Sequence, residues 1–326
     1  MRRREFIAFL GGMAVAAPRR GVAQTTRVYR LGTLTVLPPM VPTAGPGALL
    51  IAGLAQRGYT LGQNLAHEAR GAAGKVDQMP QLMQELKDAK VDVVVTASYP
   101  AAAAAKASGV PTVIASGSGD PVATRLVESL ARPAGNVTGI SDDASILSTK
   151  RLGLLKEMSP QLHQVAMLWN QDDLGMSLRY DASAKAAQVL GVRVQPLGVR
   201  EPDDFDQAFA AMTRDPPDAI LMVTDSLTFL NRKRVFDFAA EHRLPAIYEQ
   251  DVITRDGGLM SYGADPRESY DRVAALVDRI FKGAKPAELP FELPTRYLFV
   301  LILKTAKVMN LTVPNTLLTL ADEVIE

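Results

Sequence analysis

The chain has 326 residues, 47% of them hydrophobic and 22% charged, which is enough apolar material for two ordinary domains and too much for a disordered or fibrous protein. Its formal net charge is +1, and the first 23 residues hold five arginines against Glu5 alone, so the remainder carries 31 basic against 34 acidic residues and no Lys/Arg block. That balance excludes an electrostatic footprint for nucleic acid or an anionic membrane surface, and the lack of any cysteine excludes a lipobox, disulfides, thiolate metal sites and cysteine nucleophiles together.

At the N-terminus, Arg2-Arg3-Arg4 precedes an apolar run over 6–17 and the small residues Gly21-Val22-Ala23. This is the pattern of an export signal peptide over 1–23, with cleavage predicted after Ala23. The run is about a dozen residues, too short to span a hydrocarbon layer ~30 Å thick as a helix. Arg3-Arg4-Glu5-Phe6-Ile7 also resembles a twin-arginine signal, so both the Sec and the Tat route stay open. A chain exported this way, without lipidation or a second apolar segment, is expected in the periplasm.

From Val28 onward, short β-branched runs alternate with amphipathic helical stretches, the pattern of a parallel sheet covered on both faces. Strands are predicted over 28–36, 64–70, 91–96 and 111–115, and helices over 47–57, 77–90 and 100–108, with the alternation continuing through 121–131. Leu49, Leu50 and Leu54 share a face of the first helix, and Gly58 follows where a left-handed cap is needed. A second series begins after 136–140. Its strands are predicted over 165–169, 192–197, 219–223 and 245–248, its helices around 149–158 and over 175–190, 205–213 and 226–241. The last 70 or so residues supply one strand over 258–262, a helix over 266–281 and a strand and helix over 297–310, too little for a third core. The fold class is therefore α/β, with two doubly wound parallel-sheet lobes joined by several chain crossings.

Open parallel sheets bind ligands beyond the carboxyl ends of their strands. Those loops contain Thr35 after the first strand, Ser98 and Tyr99 before a helix with Pro100 in its first turn, and the turn Ser116-Gly117-Ser118-Gly119-Asp120-Pro121. The Gly/Ser turn offers backbone N–H groups to a carboxylate, while Asp120 before Pro121 is equally an ordinary N-cap. It carries neither a dinucleotide fingerprint nor a Walker lysine. In the second unit, Trp169-Asn170-Gln171-Asp172, Thr224-Asp225-Ser226 and Tyr248-Glu249-Gln250-Asp251 end strands, mixing groups suited to a small polar molecule with groups that cap helices. His67, His163 and His242 share no metal-ligand spacing, and no Gly-x-Ser-x-Gly elbow occurs. The pairs Asp142-Asp143 and Asp203-Asp204 read as solvated or capping charge. Neither a catalytic constellation nor a cofactor or metal site is predicted.

Four longer motifs stand in order along the chain: Asp120-Pro121-Val122; Leu130-Ala131-Arg132-Pro133-Ala134-Gly135-Asn136-Val137-Thr138-Gly139; Gly257-Gly258-Leu259-Met260-Ser261-Tyr262-Gly263; and Ala321-Asp322-Glu323-Val324-Ile325. With Gly58-Tyr59 and Gly62-Gln63-Asn64 they resemble the ABC-transporter substrate-binding family of the type I periplasmic-binding fold, whose better-known members bind tryptophan or tyrosine. The resemblance implies one lobe over 27–141 plus 257–290 and another over 142–256 plus 291–326. It also implies a monomeric receptor, with no enzymatic activity, that closes on a small solute such as an amino acid or aromatic carboxylate and delivers it to a membrane permease. Ser98, Tyr99, Ser118 and Asp120 from the first lobe and Asn170, Asp225 and Tyr248 from the second are the expected ligand contacts, with Thr35 beside them and Tyr262 near the hinge. A ligand-binding sensor that serves no transporter, or an exported hydrolase using a carboxylate pair, are the competing readings.

Overall fold

The computed structural model describes residues 27–141 and 144–326, so the predicted signal peptide and the pair Asp142-Asp143 lie outside the described residues. The first unit runs β1 (Tyr29–Thr35), α1 (Gly45–Ala55), β2 (Leu65–Gly71), α2 (Met79–Asp88), β3 (Val93–Ala97), α3 (Tyr99–Ser108), β4 (Thr112–Ser116) and β5 (Val137–Gly139). Its five strands form one parallel sheet in the order β2-β1-β3-β4-β5. The central strand β3 reads Val93-Val94-Val95-Thr96-Ala97 with its first four residues buried, the continuous apolar run that a strand covered on both faces requires.

The second unit runs α4 (Ala144–Met158), β6 (Gln164–Asn170), α5 (Leu174–Val189), β7 (Arg193–Val199), α6 (Asp204–Arg214), β8 (Ala219–Met222), α7 (Ser226–Leu230), α8 (Arg232–His242), β9 (Ala246–Tyr248), α9 (Asp251–Arg255) and β10 (Met260–Ala264). After α10 (Pro266–Phe281) come β11 (Tyr297–Ile302), α11 (Leu303–Val308), α12 (Asn315–Leu320) and β12 (Glu323–Ile325). Seven strands join in the order β12-β11-β10-β9-β8-β6-β7, parallel except where β11 runs against β10. The fold is thus two α/β lobes of the type I periplasmic-binding kind.

Three local expectations are corrected. Residues 121–131 form turns rather than another helix, because Asp120 caps a single turn and both Leu126 and Val127 donate back to the Pro121 carbonyl, closing it. The stretch 226–241 is two helices: the Asn231 side chain donates to the Leu227 carbonyl, offering the backbone an alternative to continued helix. The domain boundary also moves. Residues 257–264 belong to the second lobe, since β10 pairs with β9 and β11, whereas α10 packs Tyr270, Val273, Ala274 and Val277 into the first lobe's core beside Leu50 and Leu54. Glu292 still belongs with the first lobe, where its N–H donates to the Gly139 carbonyl and its carbonyl accepts from Ser141.

The chain therefore crosses between lobes after Ser141, at Asp265 and across 293–296. Two of these crossings are tied together. Asp265 N donates to the Arg296 carbonyl, and the Glu268 carboxylate accepts from Thr295 and Arg296 backbone N–H groups and from the Thr295 hydroxyl at 2.6 Å.

Inside the second lobe, the buried Glu249 carboxylate at the end of β9 accepts from Arg151 of α4 at 2.9 Å, Arg179 of α5 at 2.6 Å and the Thr224 N–H at 3.0 Å. Arg151 Nε also donates to the Tyr262 carbonyl at 2.7 Å. Burial by itself would raise the Glu249 pKa, but the two guanidiniums and the backbone donor overrule it and hold the carboxyl below its usual range. A lowered folded-state pKa contributes stability above the ordinary glutamate value, which is lost as pH falls through the folded value. Glu249→Gln is expected to lower stability by about 3–5 kcal/mol at pH 7, because two buried arginines lose their charged partner. Urea unfolding at pH 7 and again below pH 4 checks this: the gap between variant and wild type should shrink at the acid end.

Candidate functional site

The carboxyl ends of both sheets open onto one cleft, which holds a cavity of about 410 Å3. From the first lobe it is lined by Val36, Ser98, Pro100 and the loop 73–76, and from the second by Asn170, Asp173, Arg200, Asp225, Leu227 and Leu230, among others.

Ser98 links β3 to α3 with φ 106° and ψ 153°, a region that residues with a β-carbon avoid. The strain is held in place because Ser98 N donates to the Ser116 carbonyl at 3.0 Å and its own carbonyl accepts from Ala102 at 3.1 Å. Its hydroxyl is buried without a hydrogen-bond partner, as are those of Thr96 within β3 and Thr224 after β8. A buried hydroxyl left unpaired costs about 1–3 kcal/mol, so a guest that accepts from it gains what the empty lobe lacks. The positive end of the α3 dipole begins at the same place, favouring an anionic group.

Opposite, Asn170 Nδ2 donates to Asp225 Oδ2 at 2.6 Å, while Asp225 Oδ1 accepts from the Thr228 N–H at 2.9 Å and its hydroxyl at 3.0 Å. With the Asp225 N–H donating back to the Thr228 hydroxyl at 2.9 Å, the Thr228 N–H bond forms a capping box for α7 and leaves the carboxylate fixed at the cleft. Asp173 caps α5 through the Met176 N–H and is 4% exposed. Burial, and then the nearby Asp225 charge, push its carboxyl up to about 7, against the pull of the Met176 and Gly175 N–H groups and Arg179. Two carboxylates on one wall, one of them desolvated, form a place for a cation. Arg200 stands at the rim, its Nε donating to Asp172 at 3.2 Å. Just behind Asn170, Trp169 stacks on Tyr180 with ring centroids 3.7 Å apart.

Of the residues singled out from sequence, the structure brings Ser98, Asn170 and Asp225 together on the cavity wall. It places the others elsewhere. Tyr248 is 1% exposed within the second lobe's core, against Phe236, because β9 is a central strand; burial pushes its phenol far above the usual range. Thr35 is buried and accepts from the Leu37 N–H, shaping the turn that presents Val36. Tyr99 packs beside Ala102 and Ile114. Asp120 is spent on the Val122 and Ala123 N–H groups. Ser118 is fully buried, donating to the Gly119 carbonyl at 3.2 Å. Tyr262 stacks on Tyr297 in the second sheet.

Asp173, Arg200, Val36 and the apolar pair Leu227 and Leu230 went unrecognised. Asp173 carried a signal, an acidic residue just before the helix predicted from Gly175, but a cap that also lines a cleft looks the same in sequence as one that does not. Among the described residues no group of three or more His, Asp or Glu side chains is arranged to hold a metal ion, and no helix is long and apolar enough to cross a membrane.

The family model for ABC transporter substrate binding proteins matches residues 47–325. The chain belongs to that family. Members of the family are substrate-binding proteins rather than enzymes. The chain is 25% identical over 241 residues to a tyrosine-binding protein of Clostridioides difficile (strain R20291), covering 74% of this chain and 69% of that one. Its fold matches the ABC domain in complex with L-Trp from Streptococcus pneumonia with a TM-score of 0.82 at 23% identity, over 91% of this chain and 100% of the other. With the ligand-free, open form of a substrate-binding protein with adhesive properties from Clostridium difficile the TM-score is 0.65 at 20% identity, over 92% and 99% of the two chains.

Asp173→Asn keeps an N-cap and removes the ionisation. A raised native pKa means that the folded state holds its proton more tightly, so wild-type stability falls as pH rises from the ordinary aspartate value to about 7. The variant is expected to escape that fall, gaining up to about 4 kcal/mol on the wild type between pH 4 and pH 8; chemical denaturation across that range measures it.

Proposed function

We propose that this chain is the periplasmic solute receptor of an ABC importer and that its ligand is an amino acid with an apolar or aromatic side chain. The observation that carries the reading is the division of polar chemistry across the cleft: an unpartnered hydroxyl at a helix start on one lobe, and two carboxylates on the other. A ligand that carries a carboxylate and an ammonium satisfies both walls. Ser98 and the start of α3 hold the carboxylate, Asp225 and Asp173 hold the ammonium with Asn170 orienting Asp225, and Val36, Pro100, Leu227 and Leu230 surround the apolar body. The cavity falls in the size range of small-molecule sites. The tyrosine-binding relative and the structural neighbour solved with L-Trp support an amino acid of this kind.

The mechanism follows from the two walls. A ligand touches both only when the lobes are closed, so its differential affinity shifts the population toward the closed form. The membrane permease then reads that form. The export pattern of 1–23 supports a periplasmic location.

Thermal shift and calorimetry of the protein cleaved after Ala23, with L-tryptophan, L-tyrosine, L-leucine and benzoate, test the reading. A ligand at a hundred times its dissociation constant should add about 2.7 kcal/mol of stability. Asp225→Asn preserves a capping oxygen and should weaken amino-acid binding about 10–100-fold, the worth of a hydrogen bond to a charged group, while leaving benzoate unchanged. Silence across the panel, or steady consumption of any compound in it, would sink the proposal.

A further inference from the structure

The Gly/Ser turn that sequence offered as a ligand cradle does something else. A β-carbon built on Gly119 would lie 2.7 Å from Gly175 Cα and 2.8 Å from its carbonyl oxygen. One built on Gly175 would lie 2.7 Å from the Ser118 carbonyl oxygen. Gly119 belongs to the loop after β4 in the first lobe, and Gly175 to the first turn of α5 in the second. Here the two lobes meet backbone against backbone, with no side chain between them. Real β-carbons do not approach other atoms this closely, and the obstructing atoms are main chain, which cannot swing aside as the end of a side chain can. Another close approach across the cleft is softer: a β-carbon on Gly74 would meet only the Leu230 Cδ1, at 3.3 Å.

We infer that the Gly119–Gly175 contact is the stop that sets how far the lobes close, and that the missing side chains at both positions are what allow the closed state. The inference rests on reading the cleft as one that opens and closes. Any β-carbon at this contact holds the lobes apart, so Ser98 on one side and Asp225 on the other can no longer reach the same guest. The two glycines differ in what a substitution would mean. Gly119 has φ 67°, so an alanine there would strain the loop as well as block the contact. Gly175 is not left-handed and sits inside a helix, where alanine is the better helix former; its replacement isolates the interlobe effect. Asp173 Oδ1 would lie 3.2 Å from the new β-carbon, so a readout that does not depend on ligand is also needed.

The test combines Gly175→Ala with a closure reporter. The chain has no cysteine, so Lys75→Cys and Leu230→Cys, which line the cavity from opposite lobes, give a unique thiol pair for a short bis-maleimide. Without ligand, the cross-linking rate in the Gly175→Ala background should fall at least tenfold from that with Gly175 in place. The melting temperature should not fall. Small-angle scattering with saturating L-tryptophan or L-tyrosine should show the compaction of the wild type and its loss in Gly175→Ala, with affinity at least tenfold weaker. Leu174→Ala, at the exposed neighbour, should behave as wild type.

Equal cross-linking rates in the two backgrounds, or no cross-linking in either, would overturn the inference whatever the ligand results. If neither amino acid binds the wild type but the cross-linking difference is present, the contact governs closure and the amino-acid reading fails instead.

Discussion

Two sheets whose carboxyl edges open onto one cleft leave the buried Ser98 hydroxyl on its wall without a partner, and the cleft is arranged around that deficit. The hydroxyls of Thr96, Ser98 and Thr224 are buried near strand ends without partners, and Ser98 holds a backbone conformation that only its two anchoring hydrogen bonds explain. A buried hydroxyl left unpaired costs about 1–3 kcal/mol. On the cleft wall, the Ser98 hydroxyl is one such group that a guest can satisfy.

For the deficit to serve recognition, each wall must keep its shape. In the second lobe that role falls to Glu249, which draws together α4, α5 and the ends of β8 and β9 from within. The Thr224 N–H that it fixes immediately precedes Asp225, and Arg179 lies on the helix that Asp173 caps. The buried ion cluster is therefore a positioning device for the carboxylates at the cleft. Its hydrogen bonds are what make the desolvation of three charged groups tolerable.

The crossings between lobes are short, and two are tied together by Glu268 and Asp265, so on the proposed closing mechanism the hinge is a narrow one. Rotation about it needs a limit. On the inference drawn above, the backbone contact at Gly119 and Gly175 supplies one.

Much of this was legible in the amino-acid order. The alternation of β-branched runs with amphipathic stretches required parallel sheets covered by helices, because only such packing buries strands as apolar as Val93-Val94-Val95 on both sides. Gly58 marked the end of α1, and its φ of 89° is the left-handed one that a β-carbon disfavours. Ser98, Asn170 and Asp225 were visible as polar residues at strand ends, and the ordered motifs from Asp120 to Ile325 carried the family. What tertiary structure alone decided was which strand-end residues reach the cleft. Tyr248 ends β9 and Asp225 follows β8 in the same sheet, yet one is sealed into the core and the other lines the cavity, since the surroundings of a strand end depend on how neighbouring elements pack over it. The same reason hid Asp173 among ordinary helix caps, moved β10 from one lobe to the other, and turned Gly119 from a ligand cradle into an interlobe contact. Local order determines which elements form; the partner that each end meets is set by packing between separate segments of the chain.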